Sequence, residues 1–189
     1  MAVSHHDATL INGPSNTTPV DATGFVAQWR RGEQTVRYLI GRGRLESFES
    51  ADLVGLAEAQ IARAALRVEA TAAAALKMGD VDGAYVAAYD AYRMAAESLL
   101  ARQGLRATGG DGSHMAVEDA VSAQFAADIQ AFAQPTFERL RRTRHAAQYF
   151  DPSAPPITKA DASWAIGKAT EALAGVKMLL AGSPPERFR

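Results

Sequence analysis

The stretch 81-VDGAYVAAYDAYRMAAESLLARQG-104 decides how the chain is read. It is dense in alanine, the strongest helix former and a weak strand former, so it reads as a helix beginning near Val81 and ending before Gly104. Tyr85, Tyr89 and Tyr92 recur at spacings of four and three and share one face; Met94, Leu99 and Leu100 extend the apolar positions. The tyrosines read as a core stripe whose hydroxyls reach the rim.

Working outward, the same logic applies on both sides. Alanine supplies 40 of the 189 residues, with 48% apolar but only 7% aromatic side chains, so the core is built from small groups and an all-β fold is excluded. Upstream, Ser50 is placed to cap a helix running to Met78, with Gly79–Asp80 closing it; Ala72 to Ala75 lets a neighbour come close. Before that, Phe25, Trp29, Val36, Leu39 and Ile40 mark a helix from Gly24 to Gly41. Residues 1–22 lack a periodic apolar face and read as a disordered arm. His5, His6 and Asp7 on that arm lack the surrounding hydrogen bonds that orient metal ligands.

Downstream, the loop ATGGDGS (Ala107 to Ser113) reads as a mobile turn; it has neither the GK[ST] of a Walker loop nor the preceding strand of a Rossmann turn. Ser113 is placed to cap a fourth helix through Ala133, with Val117, Val121 and Phe125 inward. Gln134–Pro135 breaks it, and a fifth helix runs from Thr136 to Tyr149. A proline-rich hinge from Asp151 to Ser163 overlaps the start of a last helix, Lys159 to Ala181, whose apolar positions include Trp164, Leu173, Val176, Leu179 and Leu180. Gly182, Pro184 and Pro185 end it, leaving 183–189 as a short tail. The expectation is all-α: an antiparallel bundle of five to six helices over 23–182.

Zero cysteines removes disulfides, thiolate metal sites and cysteine nucleophiles. No apolar run approaches the roughly 18 residues of a membrane span, no apolar signal segment follows the start, and a cytoplasmic protein without cofactor is expected. The net charge of −1 conceals a skew, because 16 of the 20 cations are arginine. Overall charge therefore points to no nucleic acid; a local cluster does.

That cluster is RLRRTRHAAQYFD, Arg139 to Asp151. Arg139, Arg141, Arg142, Arg144 and His145 fall within seven residues. On a helix His145 shares a face with Arg141 and with Arg142. A guanidinium fork donates two hydrogen bonds at once to phosphate oxygens, and an imidazole moves protons near neutral pH. Together they permit metal-independent RNA cleavage, in which a 2′-hydroxyl attacks its own phosphate while arginine steadies the charge. The same residues on an exposed helix would make only a basic surface. His114 is positioned either to cap the fourth helix or to face the arginine helix, with capping favoured. Glu118 and Asp119 read as first-turn acids held by the helix dipole.

With AYDAYRMAAESLLARQGLRATGGDGSH followed by a helix and then RLRRTRHAAQYFD, the chain resembles HEPN-domain proteins over about Val81 to Ala181. The resemblance implies a compact helical bundle, often a ribonuclease of toxin–antitoxin or phage-defence systems. It implies a homodimer in which the arginine motifs of both chains meet, and a partner such as a cognate antitoxin or a nucleotidyltransferase. Arg144 and His145 match the opening of the family motif, and Tyr149 stands where the family has its catalytic histidine. Catalysis is thereby assigned to Arg144, His145 and Tyr149, and RNA or nucleotide contact to Arg139, Arg141, Arg142 and His114. A second register pairs Arg139 with His145. The tyrosine also fits the alternative that the resemblance allows, a non-catalytic module binding nucleotide, RNA or a partner.

Overall fold

The computed structural model describes residues 30–110, 112–148 and 155–189. The expected arm at 1–22, and Phe25 and Trp29 of the first helix, lie outside the described residues.

Helix α1 (Glu33–Gly41) buries Val36 and Leu39. Helix α2 (Leu53–Leu66) runs through a π turn (Arg67–Ala72) into α3 (Ala73–Met78), making one continuous rod. The sequence places the start of that rod at Ser50; it lies at Asp52, whose carboxylate accepts from the Gly55 amide at 2.7 Å. Ser50 instead accepts from the Asp52 amide, fixing the residue that caps. Gly79, at φ 86, ends the rod in a left-handed conformation that a Cβ disfavours.

Helix α4 (Val81–Arg102) is the pillar. Asp80 caps it through the Gly83 amide, and both its tyrosine stripe and its alanines are buried. A helix apolar on nearly every side must stand inside the bundle. The rod of α2 and α3, α7 (Lys159–Gly182), α6 (Gln134–Gln148) and α5 (Ser113–Phe125) all pack on it. Opposite it α7 presents Ala162, Ala165, Ala169 and Ala172, a row at helical spacing that is fully buried. Thr158 and Asp161 form a reciprocal capping box that starts α7 at Lys159, so the hinge does not extend to Ser163 as expected.

The structure departs from the expectation in two more places. A two-stranded antiparallel sheet, β1 (Leu45–Ser47) and β2 (Leu105–Ala107), joins distant segments, with Leu45 opposite Ala107; Ala107 therefore belongs to a strand and not to the loop. Strands of three residues are too short to show a period. Helix α5 stops at Phe125 and does not reach Ala133. After turn residues 126–128 the chain is extended at Ile129 and makes a 3₁₀ turn, Gln130–Phe132, before α6 begins at Gln134. Ile129 and Ala131 are both buried, and on a continuing helix two such positions would point to nearly opposite sides.

The tail at 183–189 is built into the fold. The Phe188 amide donates to the Gln103 carbonyl, its ring is 8% exposed, and the Arg37 guanidinium lies over it. Arg187 pairs with Glu49 and donates to the Phe48 carbonyl. The observed architecture is an all-α helical bundle with one small sheet, and among the described residues no helix is long and apolar enough to cross a membrane.

Candidate functional site: an arginine-lined cleft

The α6 segment is polar except where Phe137 and Leu140 turn inward. Those two anchors set the rotation of the helix. Arg141, Arg142, Arg144 and His145 then line a cleft of about 420 Å³ together with Tyr89 of α4 and Gly112, His114 and Met115 at the start of α5. Arg139 goes elsewhere: its guanidinium sits 3.9 Å from the centre of the Trp164 ring and 3.3 Å from Asp161, on the α7 side. Arg139 thus stands apart from the cleft that His145 lines, and the structure does not bring the two residues of the second register together there. Tyr149 lies outside the described residues.

The remaining arginines differ in how their charge is answered. Arg141 donates from Nε to Glu118 at 3.1 Å. Glu118 is 4% exposed, and burial pushes its carboxyl above the usual range while the Arg141 bond pulls it back. It lies in the second turn of α5, so it is a buried counter-ion and not the first-turn acid expected; Asp119 is likewise raised by burial. Arg142, 74% exposed, pairs with Glu138 at 3.4 Å, a contact worth little in water. Arg144 is half-buried, with its guanidinium 5.7 Å from the centre of the Tyr89 ring. Its Nε is buried without an acceptor, and no carboxylate of the described residues pairs with it.

His114 does not cap α5; Gly112 occupies the cap position with no side-chain bond, at φ 87, and the Arg44 guanidinium fills the place a Cβ would need. The imidazole stacks on Tyr89, with ring centres 5.8 Å apart and planes at 18°. Arg93 Nη1 lies 2.9 Å from Nε2, and Tyr89 Oη lies 2.6 Å from Nδ1. A guanidinium can only donate, and Arg93 Nη1 also lies 3.2 Å from Nδ1, so the ring tautomer decides which nitrogen accepts from it and whether the Tyr89 hydroxyl donates or accepts. Burial, then Arg93, Arg144 and Arg141, lower the His114 pKa to about 4. Burial pushes Tyr89 up to about 12 against the pull of Arg93 and Arg144. Both rings are neutral.

The uncapped N-terminus of α5, the positive end of a helix dipole, opens on the same cleft. Three features thus meet in the cleft: oriented amides, a guanidinium with no carboxylate partner among the described residues, and two more arginines beside it. His145 is exposed and also lines the cleft. Sequence reasoning missed Arg93 and assigned Tyr89 only to the core. The available signal was a single arginine one turn beyond Tyr89 in a helix otherwise rich in alanine.

No family model matches the chain, and neither a curated protein nor a solved structure matches it.

Proposed function

We propose that the chain is a HEPN-like protein that holds the phosphate backbone of RNA in the arginine cleft and cleaves it without metal. The observation that carries the reading is Arg144, a half-buried cation with no carboxylate partner among the described residues, bordered by Arg141, Arg142 and His145. A buried charge left unanswered is costly, and a bound phosphate removes the cost. In the proposed reaction His145 takes the proton of a ribose 2′-hydroxyl, whose oxygen attacks the adjacent phosphorus. The bond to the 5′-oxygen breaks, that oxygen takes up a proton, and a 2′,3′-cyclic phosphate and a free 5′-hydroxyl result. Arg144 steadies the charge on the phosphoryl oxygens, Arg141 and Arg142 hold flanking phosphates, and Tyr149 is the second proton-transfer residue by its place in the motif. His114 stays outside proton transfer because Arg93 and Tyr89 occupy its ring nitrogens.

The resemblance extends the proposal to a toxin-type or defence-type protein, to a homodimer with two such clefts facing, and to an antitoxin or nucleotidyltransferase partner. That same occupied His114 favours a second reading, a module that binds RNA or nucleotide without cutting it.

The deciding experiment incubates purified protein with RNA in EDTA beside Arg144→Ala, His145→Ala and Tyr149→Phe, and follows labelled RNA by anisotropy. Cleavage lost by about 10²-fold or more in Arg144→Ala, as for removal of a transition-state donor, is the expected result. RNA bound but uncut by the wild type selects the second reading. Neither binding nor cleavage at micromolar protein sinks both.

A further inference from the structure

A second and larger cleft, about 640 Å³, opens on the far side of Arg93 between the small sheet, α2 and α4. Its volume lies within the roughly 300–1,000 Å³ of small-molecule sites. Leu56, Leu100 and Leu105 give it an apolar floor, and Leu56 remains 42% exposed within it. Three guanidiniums stand around that floor, and two are answered: Arg93 by Glu97 and Arg106 by Glu46, each at 2.7 Å. Arg63, in the last turn of α2, has no hydrogen bond or ion pair to its side chain among the described residues.

We propose that this cleft binds a small amphipathic anion, with an apolar or aromatic body on Leu56, Leu100 and Leu105 and one carboxylate, sulfonate or phosphate head at Arg63. An apolar floor favours burial of a carbon body at about 25 cal/mol per Å², and a single unanswered cation favours a single negative head. Glu49 and Glu97 on the walls oppose a polyanion, which separates this site in chemistry from the arginine cleft. The proposal is independent of the RNA reading; Arg93 lines this cleft, bonded to Glu97, and also reaches His114 of the arginine cleft.

The test uses 8-anilinonaphthalene-1-sulfonate, an aromatic body with one sulfonate, titrated by fluorescence into the full chain. The expected result is saturable binding at one dye per chain, weakened about tenfold by Arg63→Ala, the equivalent of one charge-assisted contact. Leu56→Glu is expected to abolish it, and Arg144→Ala to leave it unchanged. Residues 56 and 63 are exposed, so both variants are expected to melt within a degree or two of the wild type, confirming that they are folded. Absence of saturable binding, binding indifferent to both variants, or equal weakening by Arg144→Ala would overturn the proposal.

Discussion

Arg139 and Arg141 are two residues apart and serve unrelated ends, one seated on Trp164 and the other bonded to Glu118. Spacing along α6 shows that they lie on different faces; which partner each face meets depends on α7 and α5. His114 illustrates the same point more sharply. Its chemistry comes from Tyr89 and Arg93, more than twenty positions earlier in the chain. The pH dependence of stability tests this environment. The His114 pKa in the fold, about 4, lies below its ordinary 6.5, so the unfolded chain takes up the proton first. The stability contributed by neutral His114 is therefore complete above about pH 6.5 and is lost as pH falls toward 4. Glu118, raised by burial, works in the opposite sense, so the comparison is made against His114→Gln. Thermal melts of the wild type are expected to fall more steeply than those of the variant across that window; parallel curves would contradict the assigned environment.

At the scale of elements, alanine decides both what was legible and what is fragile. Helices α4 and α7 could be read from composition and apolar spacing because helix propensity is local. Their close packing follows from the row Ala162, Ala165, Ala169 and Ala172, which leaves no room for larger groups. Ala169→Leu is expected to destabilise by about 1–3 kcal/mol through overpacking, read from the urea midpoint. A neutral or stabilising result would show a void where close contact is described. Boundaries were less legible than helices. Asp52 rather than Ser50 caps α2, and α5 ends at Phe125, because the burial of Ile129, Ala131 and Phe132 in the core outweighs the local preference to continue.

For the whole molecule, the segment after Gly182 is the least expected part. Two prolines and a short polar run read as an appendage, yet Phe188 and Arg187 tie together α1, the segment just after β1 and the end of α4. Phe188→Ala is expected to destabilise by about 3 kcal/mol, the low end for a buried phenylalanine because a terminal segment can relax around the loss. The measurement is chemical denaturation of the full chain, and a change within 0.5 kcal/mol, the range of an ordinary surface substitution, would mean the tail is not held.

By itself the sequence determined the all-α class, the positions of the main helices and the arginine cluster on α6, since these depend on neighbours within a few residues. It also held the resemblance on which the RNA reading rests. The tertiary structure alone decided that Arg139 leaves the cluster, that burial and Arg93 hold His114 neutral, that Glu118 answers Arg141, and that Arg144 has no carboxylate partner among the described residues. The physical reason is that propensity acts along the chain, whereas burial, charge pairing and a cleft are set by which face of one helix meets which face of another.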